Sequence, residues 1–238
     1  MEILKNKKAV IFDLDGTIVD SLDVWNRVDV LLAQALGCKS PDAQVLHRLR
    51  EQALERFKSD PQPYVRFCGE FGKFFGSKLS AEEVHALRYQ ISRKVLKSDV
   101  RLREGADVVI KKFASLGMKL AIATTTRRAN IDIYSDVNEA IRQKIHLREY
   151  FDVVITMEDV SQIKPDPECY VKALERLEIE ANEALVIEDS RVGVMAAHAA
   201  GIEAAVVREP FSEASRQWLM AEADWYFENF AQLADAID

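Results

Sequence analysis

Asp13 and Asp15 are the first residues of this chain whose types and spacing could do chemistry. They end an apolar run that is predicted to form a buried strand over residues 9–14, and Gly16 turns the chain behind them. Side chains two apart on an extended backbone share a face, so the two carboxylates would lie close together. At about 4 Å and an effective dielectric constant near 20 they would repel by roughly 4 kcal/mol, which a divalent metal or a shared proton would relieve. A surface turn is the alternative interpretation, because Asp-Gly is a common turn signal.

Other polar side chains also follow predicted strands: Thr124, Lys164, Glu188 and Asp189. Because ligands of an open parallel sheet bind outside the carboxyl ends of its strands, we expect these side chains to converge with the two aspartates. Carboxylate oxygens are ligands for Mg²⁺, while a hydroxyl and an ammonium group bind phosphoryl oxygens. Each residue alone could belong to a turn, a helix cap or a solvated loop. Their matching positions at strand ends favour a site for Mg²⁺ and a phosphoryl group.

The elements that must position these residues alternate between strand and helix from about residue 100 onward. Strands joined by helices in this order make right-handed crossovers, so the predicted fold is α/β with a doubly wound parallel sheet. A long polar helical stretch is predicted to run through Arg148. An edge strand near Trp225 and a final helix from Asn229 complete the pattern. The strands predicted after the first cover residues 120–123, 151–156, 184–187 and 203–207.

Between the first strand and this alternating region the sequence has only helical patterns. Apolar residues recur at helical spacing in four segments, and a capping-box pattern begins at Ser80. We therefore predict a separate four-helix domain over residues 19–99, inserted into a core formed by residues 1–18 and 100–238. The aromatic residues of segment 67–75 are interpreted as the interior of this helical domain rather than as a ligand wall.

Composition and charge argue against several classes of function. The net charge of −7 and the isoelectric point near 5.3 disfavour binding to nucleic acid or to an anionic membrane, since both partners attract clustered Lys and Arg. No stretch approaches the roughly 18 apolar residues of a membrane span, and no apolar leader precedes the first strand, so we expect a cytoplasmic protein. The 3 cysteines and 4 histidines are scattered without metal-type spacing, which favours inert thiols and oxygen-ligand chemistry.

The chain resembles the haloacid dehalogenase superfamily, in particular its phosphatases and phosphomutases with a helical cap inserted after the first motif. The resemblance extends over essentially the whole chain and implies a Rossmann-like catalytic core, a helical cap and a Mg²⁺ cofactor. It rests on motifs that occur in a fixed order: Asp13-Leu14-Asp15-Gly16-Thr17, Thr124, Lys164 within Lys-Pro-Asp-Pro, and Glu188-Asp189-Ser190 followed by Gly193.

The resemblance also implies catalytic and metal-binding roles. Asp13 would be the nucleophile that becomes an aspartyl phosphate. Asp15 would protonate the leaving oxygen and later deprotonate the attacking water. Mg²⁺ would be held by Asp13, by the main-chain carbonyl of Asp15, and by Glu188 with Asp189.

By the same resemblance, Thr124, the backbone at Thr125 and Lys164 would bind the transferring phosphoryl group. A carboxylate is a weak nucleophile toward a dianionic phosphate unless charge is cancelled, which Lys164 and the metal would do. Burial and neighbouring carboxylates should raise the pKa of Asp15, so that this residue carries a proton when the cycle starts. The expected partner is a small phosphorylated metabolite, and a monomer is favoured.

Three functions stay open at this point. Hydrolysis of a phosphomonoester is favoured over transfer by a β-phosphoglucomutase-like enzyme, because Trp25 stands where that branch carries a cap histidine and the Gly-x-Ser-Arg signature of its cap is missing. A catalytically silent binding or regulatory protein on the same fold is disfavoured by the intact motifs. Trp25, Arg50 and Lys78 are candidate substrate residues of the cap, although a solvated surface position is the favoured interpretation of both Arg50 and Lys78. Segment 127–148, which is longer than the usual family connection, has no functional interpretation.

Overall fold

The computed structural model describes residues 2–57 and 60–237 of the chain. Contacts between Cα atoms divide the chain into two units. Met1–Ser21 and Val100–Asp238 form the first, here called the core unit, and Leu22–Asp99 form the second, here called the helical unit. The role of the helical unit as a substrate cap stays a prediction.

The strands of the core unit follow the alternating pattern of the sequence. They are β1 (Ala9–Phe12), β2 (Val19–Asp20), β3 (Arg101–Leu102), β4 (Lys119–Ala123), β5 (Val153–Ile155), β6 (Ala184–Glu188), β7 (Glu203–Val207) and β8 (Trp225–Phe227). Within the described ranges, 6 of these strands form one sheet in the order β5-β4-β1-β6-β7-β8, and every neighbouring pair is parallel. This confirms the predicted doubly wound α/β fold.

The helices of both units are shorter than 20 residues, and none of those in the described part of the chain combines the length and apolar character needed to cross a bilayer. They are α1 (Val24–Ala35), α2 (Ala43–Arg56), α3 (Pro63–Phe74), α4 (Ala81–Ser98), α5 (Ala106–Ser115), α6 (Arg128–Asp132), α7 (Glu139–Arg142), α8 (Leu147–Tyr150), α9 (Glu168–Leu177), α10 (Arg191–Ala199), α11 (Arg216–Glu222) and α12 (Phe230–Ala236).

Strand β1 is the centre of the sheet and the point where the strand order changes direction. The chain goes from β1 to β4 on one side, and β6 pairs with β1 on the other. All residues of β1 are buried, and a core cluster with Ile11, Tyr170, Val186 and Ala197 packs the central strands against α9 and α10. Burying each large apolar side chain contributes roughly 1.5–3 kcal/mol. A crevice at the carboxyl end of β1 is therefore the expected binding position.

Segment 127–148 differs from the continuous helical stretch that the sequence predicted. After α6 the backbone widens into a π-helical turn, Ile133–Val137, and the short helices α7 and α8 follow it. The turn ends at Asn138, whose backbone is extended and whose side chain accepts a hydrogen bond from Ile141 N. Asparagine favours such an N-cap position over a helix interior, so it separates the π-helical turn from α7.

The sequence analysis also missed a two-stranded ribbon. Strands β2 and β3 pair antiparallel, with Val19 opposite Leu102 and Asp20 opposite Arg101. Each strand has only 2 residues, which is too short for an alternating pattern to be recognised in the sequence. The ribbon lies in the core unit, where the chain passes into and returns from segment Leu22–Asp99.

The helical unit buries the aromatic residues that the sequence assigned to its interior. Phe67 and Phe71 are fully buried and meet edge to face, with 5.4 Å between ring centroids. The predicted capping box at the start of α4 is present, because Glu83 N donates to Ser80 Oγ and Ser80 N donates to Glu83 Oε2. Phe74, at the end of the same stripe, is 58% exposed.

A buried ion cluster also links the helices of this unit. Asp29 on α1 is fully buried and accepts hydrogen bonds from Arg50 Nη1 at 2.6 Å and from Arg88 Nε at 2.8 Å. One carboxylate thus pairs with two buried guanidinium groups from α2 and α4, and Arg50 Nε also lies 3.7 Å from Glu51 Oε1. Because a buried charge without a partner is costly, the cluster constrains how these helices pack.

We expect Asp29→Ala to be strongly destabilising. Removing the shared carboxylate deprives two buried guanidinium groups of their short ion pairs, which should lower the free energy of unfolding by about 3–5 kcal/mol in chemical denaturation. Arg66→Ala is the control within the same unit, because the Arg66 side chain is 62% exposed in its ion pair with Asp60. That change should cost less than about 1 kcal/mol. Equal losses for the two variants would contradict a structural role for the cluster.

The cysteines should differ sharply in reactivity. Burial raises the pKa of Cys68 to about 12 and that of Cys169 to about 11, so few thiolates form at pH 8. Cys38 is only partly buried. In a titration with a chromogenic disulfide, Cys38 should react quickly in the native protein, and the other two thiols only after denaturation. Rapid reaction of Cys68 in the native protein would show that the helical unit opens readily, and rapid reaction of Cys169 would show the same for the core unit.

Candidate active site

The loop behind β1 turns tightly and presents the first two aspartates. Asp13 N still donates to Ile187 O of β6, so the ladder extends one residue beyond β1. Gly16 has φ of 92°, a left-handed conformation that glycine adopts without strain, and its N–H donates to Val19 O. This turn holds the side chains of Asp13 and Asp15 at the carboxyl edge of the sheet.

Lys164 lies between two of the predicted carboxylates. Its Nζ is 2.7 Å from Asp13 Oδ1 and 2.7 Å from Glu188 Oε1, and it lies 4.7 Å from the centre of the Tyr170 ring. Only 3% of the Lys164 side chain is exposed, so both ion pairs lie in a desolvated setting. The structure thus brings together three residues that are far apart in the sequence.

Glu188 is surrounded by hydrogen-bond donors. Oε1 accepts from Lys164 and from the Tyr170 hydroxyl, while Oε2 accepts from the backbone N–H groups of Asp189 and Ser190 and from Ser190 Oγ. Although burial alone would raise it, Lys164 and these hydrogen bonds hold the pKa of Glu188 below its usual range. Direct metal ligation by Glu188 stays a prediction, and the donors around it favour a supporting role.

Asp189 is the third carboxylate of the cluster. Its Oδ1 accepts from Thr17 Oγ1 at 2.8 Å and its Oδ2 accepts from Ser212 Oγ at 3.4 Å. Carboxylate oxygens of Asp13, Glu188 and Asp189 lie within 4.8 Å of one another, and all three residues are buried. Hard oxygen ligands at this spacing suit a divalent cation.

The charge balance of this cluster fits such a cation. Burial raises the pKa of Asp13 to about 7, and the opposing effect of Lys164 does not cancel that rise. Burial, with the charges of Glu188 and Asp13, raises the pKa of Asp189 well above its usual range. Three ionised carboxylates and one ammonium group would leave two uncompensated negative charges in a desolvated place. A divalent cation would neutralise them and keep Asp13 ionised.

Asp15 has a different set of hydrogen-bond partners from Asp13. Its Oδ1 accepts from Ser21 Oγ at 2.6 Å and from the Tyr134 hydroxyl at 3.2 Å. Burial raises the pKa of Asp15, while hydrogen bonds from Ser21, Tyr134 and Thr126 oppose the rise. The predicted direction of the pKa shift and one of its two predicted causes, burial, agree with this result, while neighbouring carboxylates are not among its main causes.

The threonines after β4 occupy different environments. Thr124 is buried, its N–H donates to Ile155 O, and its Oγ1 accepts from Thr126 N at 3.1 Å. Thr125 is exposed at the start of the loop. The role of these threonines in binding phosphate stays a prediction.

Comparison with known proteins identifies the family. The model of the haloacid dehalogenase-like hydrolases matches residues 10–207 of the chain. The chain belongs to this family. Within it, a phosphorylated carbohydrates phosphatase of Thermotoga maritima is 32% identical over 196 residues, which is 82% of each chain.

Solved structures of haloacid dehalogenase-like hydrolases have the same fold. CbbY from Rhodobacter sphaeroides in complex with phosphate aligns with a TM-score of 0.72 and 25% identity, covering 95% of this chain and 96% of the other. A Thermotoga maritima protein described as a candidate β-phosphoglucomutase aligns with a TM-score of 0.78 and 27% identity, covering 96% and 99%. These relatives confirm the predicted superfamily and enzyme class, a phosphoric monoester hydrolase.

The three residues predicted to contact substrate from the cap all belong to the helical unit. Arg50 is buried, in the ion cluster of Asp29, and Nη2 of Arg50 also donates to Asn26 Oδ1 at 2.9 Å. Trp25 is half-buried, and the centre of its ring lies 5.4 Å from the guanidinium carbon of Arg88. Lys78 is exposed between α3 and α4. The solvated-charge interpretation of Arg50 is therefore wrong, because its charge is paired inside the unit.

Several residues that the sequence analysis did not single out complete the site of this haloacid dehalogenase-like hydrolase. Arg103 donates to the main-chain carbonyl of Gly16 at 2.7 Å and to that of Arg208, which ties the loop after β1 to the end of β7. Tyr170 supports Glu188, and Ser21 and Tyr134 support Asp15. No local pattern distinguishes such residues, because each acts through a contact that only the tertiary structure creates.

Gly193 on α10 allows Glu188 to reach its position. A Cβ built at Gly193 would lie 1.8 Å from Glu188 Oε1 and 1.9 Å from Glu188 Cδ. The Gly193→Ala variant should therefore displace the carboxylate that pairs with Lys164. We expect at least about a tenfold loss of phosphatase turnover and a loss of roughly 1–3 kcal/mol in the free energy of unfolding.

Val192→Ala is the matched control for this change, because Val192 is on the same helix and is 46% exposed. It should leave turnover within about twofold of the wild type, since surface changes away from special features have small effects. An active and stable Gly193→Ala protein would mean that Glu188 does not need its present position.

Proposed function

We propose that this chain is a Mg²⁺-dependent phosphatase that hydrolyses a small phosphorylated metabolite through an aspartyl phosphate. The observation that carries the proposal is Asp13, held 2.7 Å from Lys164 at the end of β1 and clustered with two further buried carboxylates. The name of the Thermotoga maritima phosphatase relative supports phosphorylated carbohydrates as the substrate class.

Asp13, Asp189 and the main-chain carbonyl of Asp15 would hold the Mg²⁺ ion in this proposal. Bound there, the ion supplies positive charge that offsets the repulsion between an anionic nucleophile and an anionic phosphate. Glu188 would not bind the ion directly. It would orient Lys164 and the backbone of Asp189 and Ser190 by accepting their hydrogen bonds. Support by hydrogen-bonded groups behind the ligands is common at metal sites.

The reaction would proceed in two displacements. A carboxylate oxygen of Asp13 attacks phosphorus, the bond from phosphorus to the ester oxygen breaks, and the leaving oxygen takes a proton from Asp15. Water then attacks phosphorus of the aspartyl phosphate and gives a proton to Asp15. The bond between phosphorus and Asp13 breaks, which releases phosphate and restores both aspartates. Lys164 and Thr124 would bind oxygens of the transferring group throughout.

The first test is turnover of p-nitrophenyl phosphate by the purified protein. Activity should require added Mg²⁺ and disappear with a chelator, because Asp13 needs the cation to stay ionised in its buried site. Asp13→Asn should lower turnover by roughly 1,000-fold or more, since an amide cannot form the acyl phosphate. Acid-quenched enzyme should carry phosphate on Asp13.

Asp235→Asn serves as the control, because it makes the same chemical change at an exposed residue of α12. It should retain wild-type turnover. A protein that hydrolyses no phosphomonoester in the presence of Mg²⁺, or an Asp13→Asn variant that keeps its activity, would contradict the proposal and favour a binding or regulatory protein.

A phosphomutase is the second candidate, favoured by the likeness to the candidate β-phosphoglucomutase of Thermotoga maritima. The two functions differ in what receives the phosphoryl group from Asp13, either water or a sugar hydroxyl. With β-glucose 1-phosphate as substrate, a phosphatase releases inorganic phosphate and a mutase accumulates glucose 6-phosphate. Predominant isomerisation would replace the proposed hydrolysis.

A further inference from the structure

Tyr134 lies in the segment for which the sequence offered no functional interpretation. It belongs to the π-helical turn Ile133–Val137, and its side chain is fully buried. Its hydroxyl donates a hydrogen bond to Asp15 Oδ1 at 3.2 Å, across 119 positions of sequence. A buried tyrosine hydroxyl usually finds a partner, but here that partner is the predicted acid and base of the reaction.

The π-helical turn is closed by a backbone hydrogen bond and anchored at its C-terminal end. Asn138 N donates to Ile133 O at 2.8 Å, which closes the wide turn, and Asn138 Nδ2 donates to Val100 O at 3.0 Å in a buried setting. π-Helical turns are rare in proteins and occur frequently at functional sites. Tyr134 is therefore presented by an anchored element rather than by a mobile loop.

The contacts of Asp15 fix the orientation of its carboxyl group. Ser21 Oγ and the Tyr134 hydroxyl approach the same oxygen, Oδ1, from two segments that are far apart in the sequence. Donors from these two segments limit rotation of the carboxyl group about its Cβ–Cγ bond. A proton donor that is held in the productive orientation avoids the entropic cost of finding it.

We propose that Tyr134 is a positioning residue, which holds the Asp15 carboxyl group in the orientation that transfers a proton to the leaving oxygen. The inference rests on the proposed phosphatase function, and it assigns a role in proton transfer to segment 127–148. A purely structural role for the hydroxyl predicts a different kinetic result, because a loss of stability or general order affects all substrates alike.

The test is Tyr134→Phe, which keeps the ring and its packing and removes only the hydroxyl. Values of kcat/KM are measured with Mg²⁺ for phosphate esters whose leaving groups run from p-nitrophenol, a good leaving group, to simple alcohols. Alcohols need a well-placed proton in the transition state, whereas p-nitrophenolate leaves without one. We expect a loss of about tenfold for alkyl phosphates and of less than about twofold for p-nitrophenyl phosphate.

Ser135→Ala is the matched control from the same π-helical turn. Its hydroxyl is buried and has no hydrogen-bond partner within the described ranges, so its removal takes nothing from Asp15. This variant should keep wild-type kcat/KM across the whole series. Thermal unfolding of all three proteins checks that the comparison is made between equally folded enzymes.

The outcomes separate this inference from the function on which it rests. An active wild type with a Tyr134→Phe loss that is the same for every leaving group, or with no loss at all, overturns the positioning role and leaves the phosphatase intact. A wild type that is inert toward every ester overturns the proposed function, and the positioning role with it. A loss that grows as the leaving group becomes poorer supports the inference.

Discussion

The structure depends on balancing negative charge that is buried at one end of a hydrophobic sheet. Three buried carboxylates lie at the carboxyl ends of β1 and β6, those of Asp13, Glu188 and Asp189. The Lys164 ammonium group pairs with Asp13 and with Glu188. Charges in such a place are tolerated only when they are paired and hydrogen-bonded. Two further features contribute to this charge balance. Gly193 leaves the space that the Glu188 carboxylate occupies, and Lys164 forms an ion pair with that carboxylate.

The two aspartates of the first motif differ because their environments differ. Asp13 lies beside an ammonium group and within reach of further carboxylates, whereas Asp15 lies among neutral hydroxyl groups. One environment suits a nucleophile whose charge is stabilised by cations. The other suits an acid that exchanges a proton, because burial disfavours its ionised form. A spacing of two residues is enough to give these carboxyl groups different surroundings.

The sequence was sufficient for the parallel sheet, for most of its strand segments and for the meeting of several strand-end residues, because buried strands and Gly or Pro turns leave local signals. It was insufficient where a contact arises from tertiary packing. Arg103 donates to a main-chain carbonyl 87 positions away, and Tyr134, in a π-helical turn, donates to Asp15 across 119 positions. The ion cluster of Asp29 could not be predicted for the same reason, because the sequence gives no signal that its two arginines are buried.

The ribbon of β2 and β3 has a topological consequence. Its 2 strands bring residues 19–20 and 101–102 side by side. The chain therefore enters segment Leu22–Asp99 and leaves it at adjacent positions. An insertion with adjacent ends can lengthen, shrink or be replaced during evolution without altering the register of the parallel strands. The architecture therefore lets the catalytic machinery be inherited unchanged while the inserted module diversifies.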